Sequence, residues 1–534
     1  MKVKSKKEMN FQVKSKKEKV KNMGFNLIKS WLVNSAIFAF LLFTFYFVPV
    51  KAQEQPPTPS APRAAKIPAV FEKKLVNGMT VATVERKNVP LVTVQFMVTS
   101  GANVEAPEEA GLANMTASML TKGTKTRTAS QIAEQVEFLG GAISSGAGWN
   151  NSIVTVTVMS DKLDAAMEIL TDVVLNPAFK EEELDLLKSQ TLDGLAYNLK
   201  QPGFLANYVA SKYSFDEHPA GGTPESIQTI TVQNIADFKK ENYQPETAFL
   251  IFAGDITAIR ANALAQKFFG RWGLPKPKTT VDKVTTMEAP LGMSNAAVPN
   301  KPAQNNLVRK ILVVDLPNSG QASVNYLKSI NEGRVDIYSK GKGKTSSIFY
   351  PGLVMNSVFG GGYSSRLNQE IRIKRGLSYG AGSSFNWRVD RTNFGARTQT
   401  KNESAAEVAE LVLAELQKMK DANVAAAELA PRKLVLTGDF GRELETTGGL
   451  AQTVAALYTY DLPLSELNSH IQNVNAVTDA QIKTFASENL NSGDIIIVGD
   501  YNVFKDDLAK RFPNMKIEVI KADDLDLSKD NLRK

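Results

Sequence analysis

Gly111–Thr124 reads GLANMTASMLTKGT. Gly111-Leu112-Ala113 opens the stretch and Met119-Leu120, then Lys122-Gly123-Thr124, closes it, the frame of a helix that has to pack. Inside that frame Asn114, Ala117 and Ser118 stand at i, i+3 and i+4, so a helix carries them on one face. At this spacing two histidines one turn apart hold zinc, and a glutamate beside them activates a bound water. An amide, a methyl group and a hydroxyl stand there instead. The stretch keeps the shape of a catalytic helix and lacks its chemistry.

The chain around it reads as two related halves. Leu75-Val76-Asn77-Gly78-Met79-Thr80-Val81 carries the Asn-Gly signal of a tight hairpin, and Leu91–Val98 is a dense apolar strand. Thr128 and Gln131 have capping-box spacing, with Ile132, Val136 and Leu139 recurring at helical period until Gly140-Gly141. Ser152–Met159 alternates as a strand. Asp161 is placed to cap a helix bearing Leu163, Met167, Leu170 and Val174, and Glu181–Asn198 reads as a further helix. The segment Thr231–Asp255, TVQNIADFKKENYQPETAFLIFAGD, then recurs as Thr478–Asp500, TDAQIKTFASENLNSGDIIIVGD. Both run from a helix with Phe238 or Phe485 through Glu-Asn to an apolar strand and Gly-Asp. The helix opened by Ser404-x-x-Glu407 matches the one after Asp161. A duplication about 245 residues apart, built of α+β units, follows.

With 534 residues the chain exceeds a single core. Its formal charge of +8 is misleading. Residues 1–52 hold eleven of the 63 basic side chains and two of the 55 acidic ones, so the remainder is nearly neutral. That removes the electrostatic case for nucleic-acid binding. The same region reads as a leader, with lysines from Lys2 to Lys29, an apolar run Ala36–Val48, and Val50-Lys51-Ala52 as a cleavage site before Gln53. The alternative is an uncleaved anchor, since Trp31–Val50 nearly spans a bilayer. The chain is expected to be exported either way, periplasmic or secreted, and membrane-bound only if the leader stays. There are no cysteines, hence no disulfides, thiolate metal sites or cysteine nucleophile.

Three segments together carry a resemblance: GLANMTASMLTKGT, His218-Pro219, and Phe359–Gly380, FGGGYSSRLNQEIRIKRGLSYG. Over roughly residues 68–515 the chain resembles the pitrilysin/insulinase family of zinc metallopeptidases in its two-domain form. The resemblance implies an α+β fold of two duplicated domains, each a mainly antiparallel sheet with helices packed on one face, forming half of a clamshell. The expected order is leader 1–52, proline-rich linker 53–68, N-terminal domain 69–273, linker 274–306, C-terminal domain 307–515 and charged tail 516–534.

Carried over residue by residue, the family's ligand histidines fall on Asn114 and Ser118, its catalytic glutamate on Ala117, and its third ligand near Gly194, beside Asp193. The family's Asn-Ala-x-Thr edge-strand motif is also eroded, in Gly140–Ala147. Only two histidines exist, His218 in a loop and His470 in a helix, each read as a surface or packing residue. No catalytic zinc is expected in this chain. The second half keeps what the first has lost: Arg372 and Tyr379, seven residues apart. In active members such a pair reaches the zinc half and holds the substrate carbonyl, as fixed donors suit a developing oxyanion. The bland alternative pairs Arg372 with a nearby carboxylate and packs Tyr379. Gly360-Gly361-Gly362 lacks the Lys-Ser or Lys-Thr of a phosphate loop and marks a close chain approach.

The expectation is a noncatalytic subunit of an exported heterodimeric zinc peptidase. It would hold no cofactor itself and would supply Arg372 and Tyr379 to a zinc-bearing homologous subunit acting on unfolded peptides. The alternative is a purely structural or binding protein of the same fold with no part in hydrolysis.

Overall fold

The computed structural model describes residues 67–274, 307–336 and 343–534. The expected leader, most of the proline-rich linker and nearly all of the 274–306 linker lie outside the described residues. Residues Lys66–Lys534 form one compact unit. The first half contributes β1 Val70–Lys74, β2 Thr80–Glu85, β3 Leu91–Val98, β4 Ala142–Ala147, β5 Ser152–Met159 and β6 Ala248–Gly254, in the spatial order β1-β2-β6-β3-β5-β4. The second contributes β7 Val308–Asp315, β8 Ala322–Ile330, a short ribbon of β9 Val335–Asp336 and β10 Lys344–Thr345, then β11 Ala381–Trp387, β12 Thr392–Thr400, β13 Gly493–Gly499 and β14 Ile517–Lys521. Its large sheet runs β11-β12-β8-β13-β7-β14. Both six-stranded sheets are mainly antiparallel. Parallel pairing is confined to β2 with β6 in one, and to β7 with β13 and β14 in the other.

The local signals hold. Gly78 takes φ +95° in the β1–β2 turn, and Asn77 donates to the carbonyls of Phe269 and Trp272 at 2.9 and 3.0 Å. Thr128–Gln131 is a capping box, and the two copies of the duplicated segment open on capping boxes at Thr231 and Thr478. Phe238 and Phe485 are buried in corresponding cores. Asp161 is a correction: the chain enters the helix Leu163–Leu175 through a 3-10 turn, Ser160–Lys162, so its carboxylate pairs with Lys162 at 3.0 Å and caps nothing. Residues 516–534 are a second correction. β14 adds to the sheet edge parallel to β7, and Leu527 and Leu532 are buried behind it. The charges of Glu518 and Lys521 belong to an edge strand, which tolerates them because only part of it is covered.

Helices of each half cover one face of their own sheet. The opposite face is covered by a helix from the other half. Leu205, Ala206, Val209 and Ala210 of the helix Pro202–Tyr213 pack on Leu312, Val314, Leu327, Ile496 and Val498. Leu450, Ala451, Val454 and Ala455 of the helix Thr447–Thr459 pack on Ala82, Val84, Met97, Ile251 and Ala253. Each buried Leu, Ile, Val or Met among them contributes roughly 1.5–3 kcal/mol by leaving water, and each Ala about 0.8 kcal/mol. Separating the halves would therefore expose both sheets, although only one linker joins them. Polar contacts fix the docking: Thr93 bonds Thr447 at 2.8 Å, and Glu217 accepts from Arg388 at 2.6 Å and from Asn393 at 3.1 Å.

Candidate functional site

The helix Leu112–Leu120 carries the degenerate motif. Gly111 before it adopts φ +93°, and a Cβ there would lie 2.9 Å from Gly222 Cα, so no other residue fits without strain. The helix is capped from outside. Glu105, its side chain wholly enclosed, accepts from the backbone N–H of Gly111 at 2.9 Å and of Ala113 at 2.7 Å. Burial nevertheless pushes its pKa up to about 7. His218 Nδ1 stands 3.5 Å from Glu105 Oε1, while its Nε2 lies 3.1 Å from the Ala102 carbonyl and its ring packs on Trp149. Burial lowers the His218 pKa, and it holds that of His470 down to about 4. His470 stacks on Phe440 with centroids 4.2 Å apart. Both histidines are packing residues rather than surface ones.

Ala117 has no solvent exposure, and its carbonyl accepts from Ser145 Oγ of β4 at 2.7 Å. Asn114 and Ser118 are half-buried. Gly194 lies on the helix Glu181–Asn198, which packs on the motif helix, and a Cβ there meets nothing within 4 Å. None of these four positions offers an imidazole, thiolate or carboxylate, so they do not fit a zinc ion. Among the described residues no group of three or more His, Cys, Asp or Glu is placed to hold a metal.

The second half is built differently. The helix Phe349–Phe359 ends at Gly360, where a Cβ would lie 2.4 Å from Ser383 Oγ. Close approach to β11 explains the glycine, and Ser383 N–H donates to the Gly360 carbonyl at 3.1 Å. A π-helix, Asn368–Lys374, follows. Buried Leu367 and Ile371 hold its inner face, and buried Asn368 ties it to the Tyr363 carbonyl and to the Ala381 N–H. Wide turns of this kind recur at functional sites. The segment carries four cations. Arg366 forks onto Glu428 at 2.8 and 2.8 Å, Lys374 takes Glu370 at 2.8 Å, and Arg375 takes Glu370 and Glu407 at 3.1 and 3.0 Å. Every carboxylate within the segment is thereby used. Arg372 lies instead over the Tyr363 ring, 4.8 Å from its centroid. Tyr379 is 89% exposed in the loop that follows and does not pack.

Arg372 lines a cleft of about 690 Å³ with Tyr363, Asn368, Asn356, Ser383 and Arg397. Tyr379 lines an adjoining cleft of about 440 Å³, whose far wall is Gly203, Phe204 and Asn207 of the exchanged helix from the first half. Gly380 and Arg397 border both. Asn114, Ala117, Ser118 and Gly194 line neither. The structure thus brings Arg372 and Tyr379 to neighbouring walls and leaves the degenerate positions elsewhere. Sequence reasoning missed Arg397, Tyr363 and Asn368. The available signal for Arg397 was a lone arginine in the otherwise uncharged strand Thr392–Thr400.

Two sequence families match in tandem: "Insulinase (Peptidase family M16)" over residues 80–211 and "Peptidase M16 inactive domain" over residues 229–434. The chain belongs to the M16 peptidase family. Similar relatives include an uncharacterized zinc protease of Rickettsia bellii, 29% identical over 58% of this M16 chain and 68% of its own length. Another, from Mycobacterium leprae, is 23% identical over 80% of this chain and 91% of its own. Among solved structures, an M16 inactive domain from Pseudomonas fluorescens aligns with TM-score 0.67 at 23% identity, covering 81% of this chain and 98% of that one. A protease from Helicobacter pylori aligns with TM-score 0.69 at 19% identity, covering 81% and 100%. At these identities the structural likeness establishes the fold. No helix among the described residues is long and apolar enough to cross a membrane.

Proposed function

We propose that this M16 chain is the noncatalytic subunit of an exported heterodimeric zinc peptidase. The observation that carries the reading is the state of Arg372 and Tyr379. The neighbouring carboxylates are occupied by Lys374 and Arg375, which leaves the Arg372 guanidinium on an aromatic ring at a cleft wall, and the Tyr379 phenol is exposed. A zinc-bearing homologous chain supplies the metal and the attacking water. This chain supplies donors to the substrate carbonyl. A guanidinium and a phenol set in advance stabilise negative charge as it develops on that oxygen, without reorganising at the moment of reaction. Substrates are unfolded peptides, bound in extended form against a sheet edge. The domain plan supports this division: each half keeps its sheet and helices, and only the chemistry of the first half is gone.

The test is peptide hydrolysis by a zinc-bearing M16 homologue in the presence of this chain. Arg372→Ala is expected to remove most of the stimulation, on the order of 10²–10³-fold for a lost oxyanion donor. Tyr379→Phe is expected to remove part of it. Full stimulation by both variants would refute the shared site.

A further inference from the structure

A second guanidinium lines the Arg372 cleft. Arg397 sits on β12, donates to Ser384 Oγ at 3.2 Å, and has no carboxylate partner among the described residues. Its side chain is exposed along β12, open to a ligand. Arg397 also borders the Tyr379 cleft. The two clefts therefore share one wall of positive charge. Their remaining polar walls are amides, hydroxyls and glycine backbone: Asn356, Asn368, Ser383 and Ser384 in one, Asn207 and Gln399 in the other. Neither cleft is lined by an aspartate or glutamate. By contrast Arg309 pairs with Asp494 at 2.6 Å, Arg366 with Glu428 at 2.8 Å and Arg388 with Glu217 at 2.6 Å, while Arg432 and Arg533 are held by the backbone carbonyls of Ser364 and Val519. Two guanidinia without a carboxylate partner at one cleft, in a lining that holds no aspartate or glutamate, mark a place for a negative group.

We propose that Arg397, with Arg372, makes the joined clefts a carboxylate-recognising subsite, so that this chain takes its peptides by a carboxylate group. The proposal rests on the reading of this face as a peptide-binding wall and names the substrate class it takes. Arg372 serves the carbonyl of the bound peptide and Arg397 takes the carboxylate, bidentate geometry being the natural fit of a guanidinium to that group. The carboxylate belongs to an aspartate or glutamate side chain or to the peptide C-terminus.

The experiment uses this chain alone, without partner or hydrolysis, so that its outcome is separate from that of the shared site. Calorimetry compares three extended decapeptides: one with a central Glu-Glu and an amidated C-terminus, its Gln-Gln counterpart likewise amidated, and the Gln-Gln peptide with a free C-terminus. The expected result is about tenfold tighter binding of one carboxylate-bearing peptide than of the amidated Gln-Gln peptide, a difference of about 1.4 kcal/mol. Whichever carboxylate peptide binds tighter identifies the source. The preference falls between 50 and 200 mM salt. Arg397→Gln, with an unchanged urea midpoint, should erase the preference, so that all three peptides bind within about twofold of one another. Equal affinities for all three peptides, no binding of any, or a preference that survives Arg397→Gln would overturn the proposal.

Discussion

The motif helix Leu112–Leu120 and the segment Phe359–Gly380, which follows the corresponding helix Phe349–Phe359 of the second half, differ in how their key side chains are held. The first is closed. Ala117 is fully buried, Glu105 caps the helix from an enclosed position, and Gly111 is wedged on the backbone of Gly222. The second is open where it matters, with Tyr379 exposed and Arg372 on a cleft wall, while its other cations are locked in ion pairs. Of the positions without metal ligands, Ala117 has joined the core while Asn114 and Ser118 stay half-buried. Arg372 and Tyr379 stand away from the core, on a segment whose other cations are fixed by ion pairs.

The contrast predicts that substitutions in the first region change stability and those in the second change function. The largest stability effect is expected from Ala117→Glu, which forces a carboxylate into a filled site. It should cost about 3 kcal/mol or more in urea unfolding, since overpacking and burial of an unpaired charge add. Gly111→Ala should cost about 2 kcal/mol, combining left-handed backbone strain with the contact on Gly222. A smaller effect is a pH slope from Glu105. Its folded pKa is raised, so the protonated form is favoured in the fold. The stability it contributes is present below its unfolded value of 4.5 and is lost as pH rises through about 7. Relative to Glu105→Gln, the natural chain should lose about 1 kcal/mol between pH 6 and 7. Tyr379→Ala should move the unfolding midpoint least, by no more than about 0.5 kcal/mol, because the ring is exposed. A Tyr379→Ala variant as unstable as Gly111→Ala would break the comparison.

Much of this was legible in the sequence. Dense apolar strands such as Leu91–Val98, the Asn77-Gly78 turn and the Thr128 cap act locally, and each formed as read. The duplicated segments Thr231–Asp255 and Thr478–Asp500 placed equivalent central strands, β6 and β13. The helix exchange was not legible. Leu205 and Val209, like Leu450 and Val454, form ordinary apolar faces, and nothing in their spacing says which sheet will take them. β14 was hidden by its charge, as an edge strand needs no unbroken apolar run. The positions of Arg372 and Tyr379 could be named from the motif. That Arg372 escapes every neighbouring carboxylate, and that Arg397 joins it, depend on which ion pairs the tertiary structure forms.

The proposed function puts the metal in one chain and the carbonyl donors in the other. Zinc content of the purified, peptide-hydrolysing complex of this chain with a zinc-bearing homologue tests it directly. One zinc per pair of chains, remaining with the homologue when the two are separated, is the predicted result. A zinc that stays with this chain, or two per pair, would contradict it.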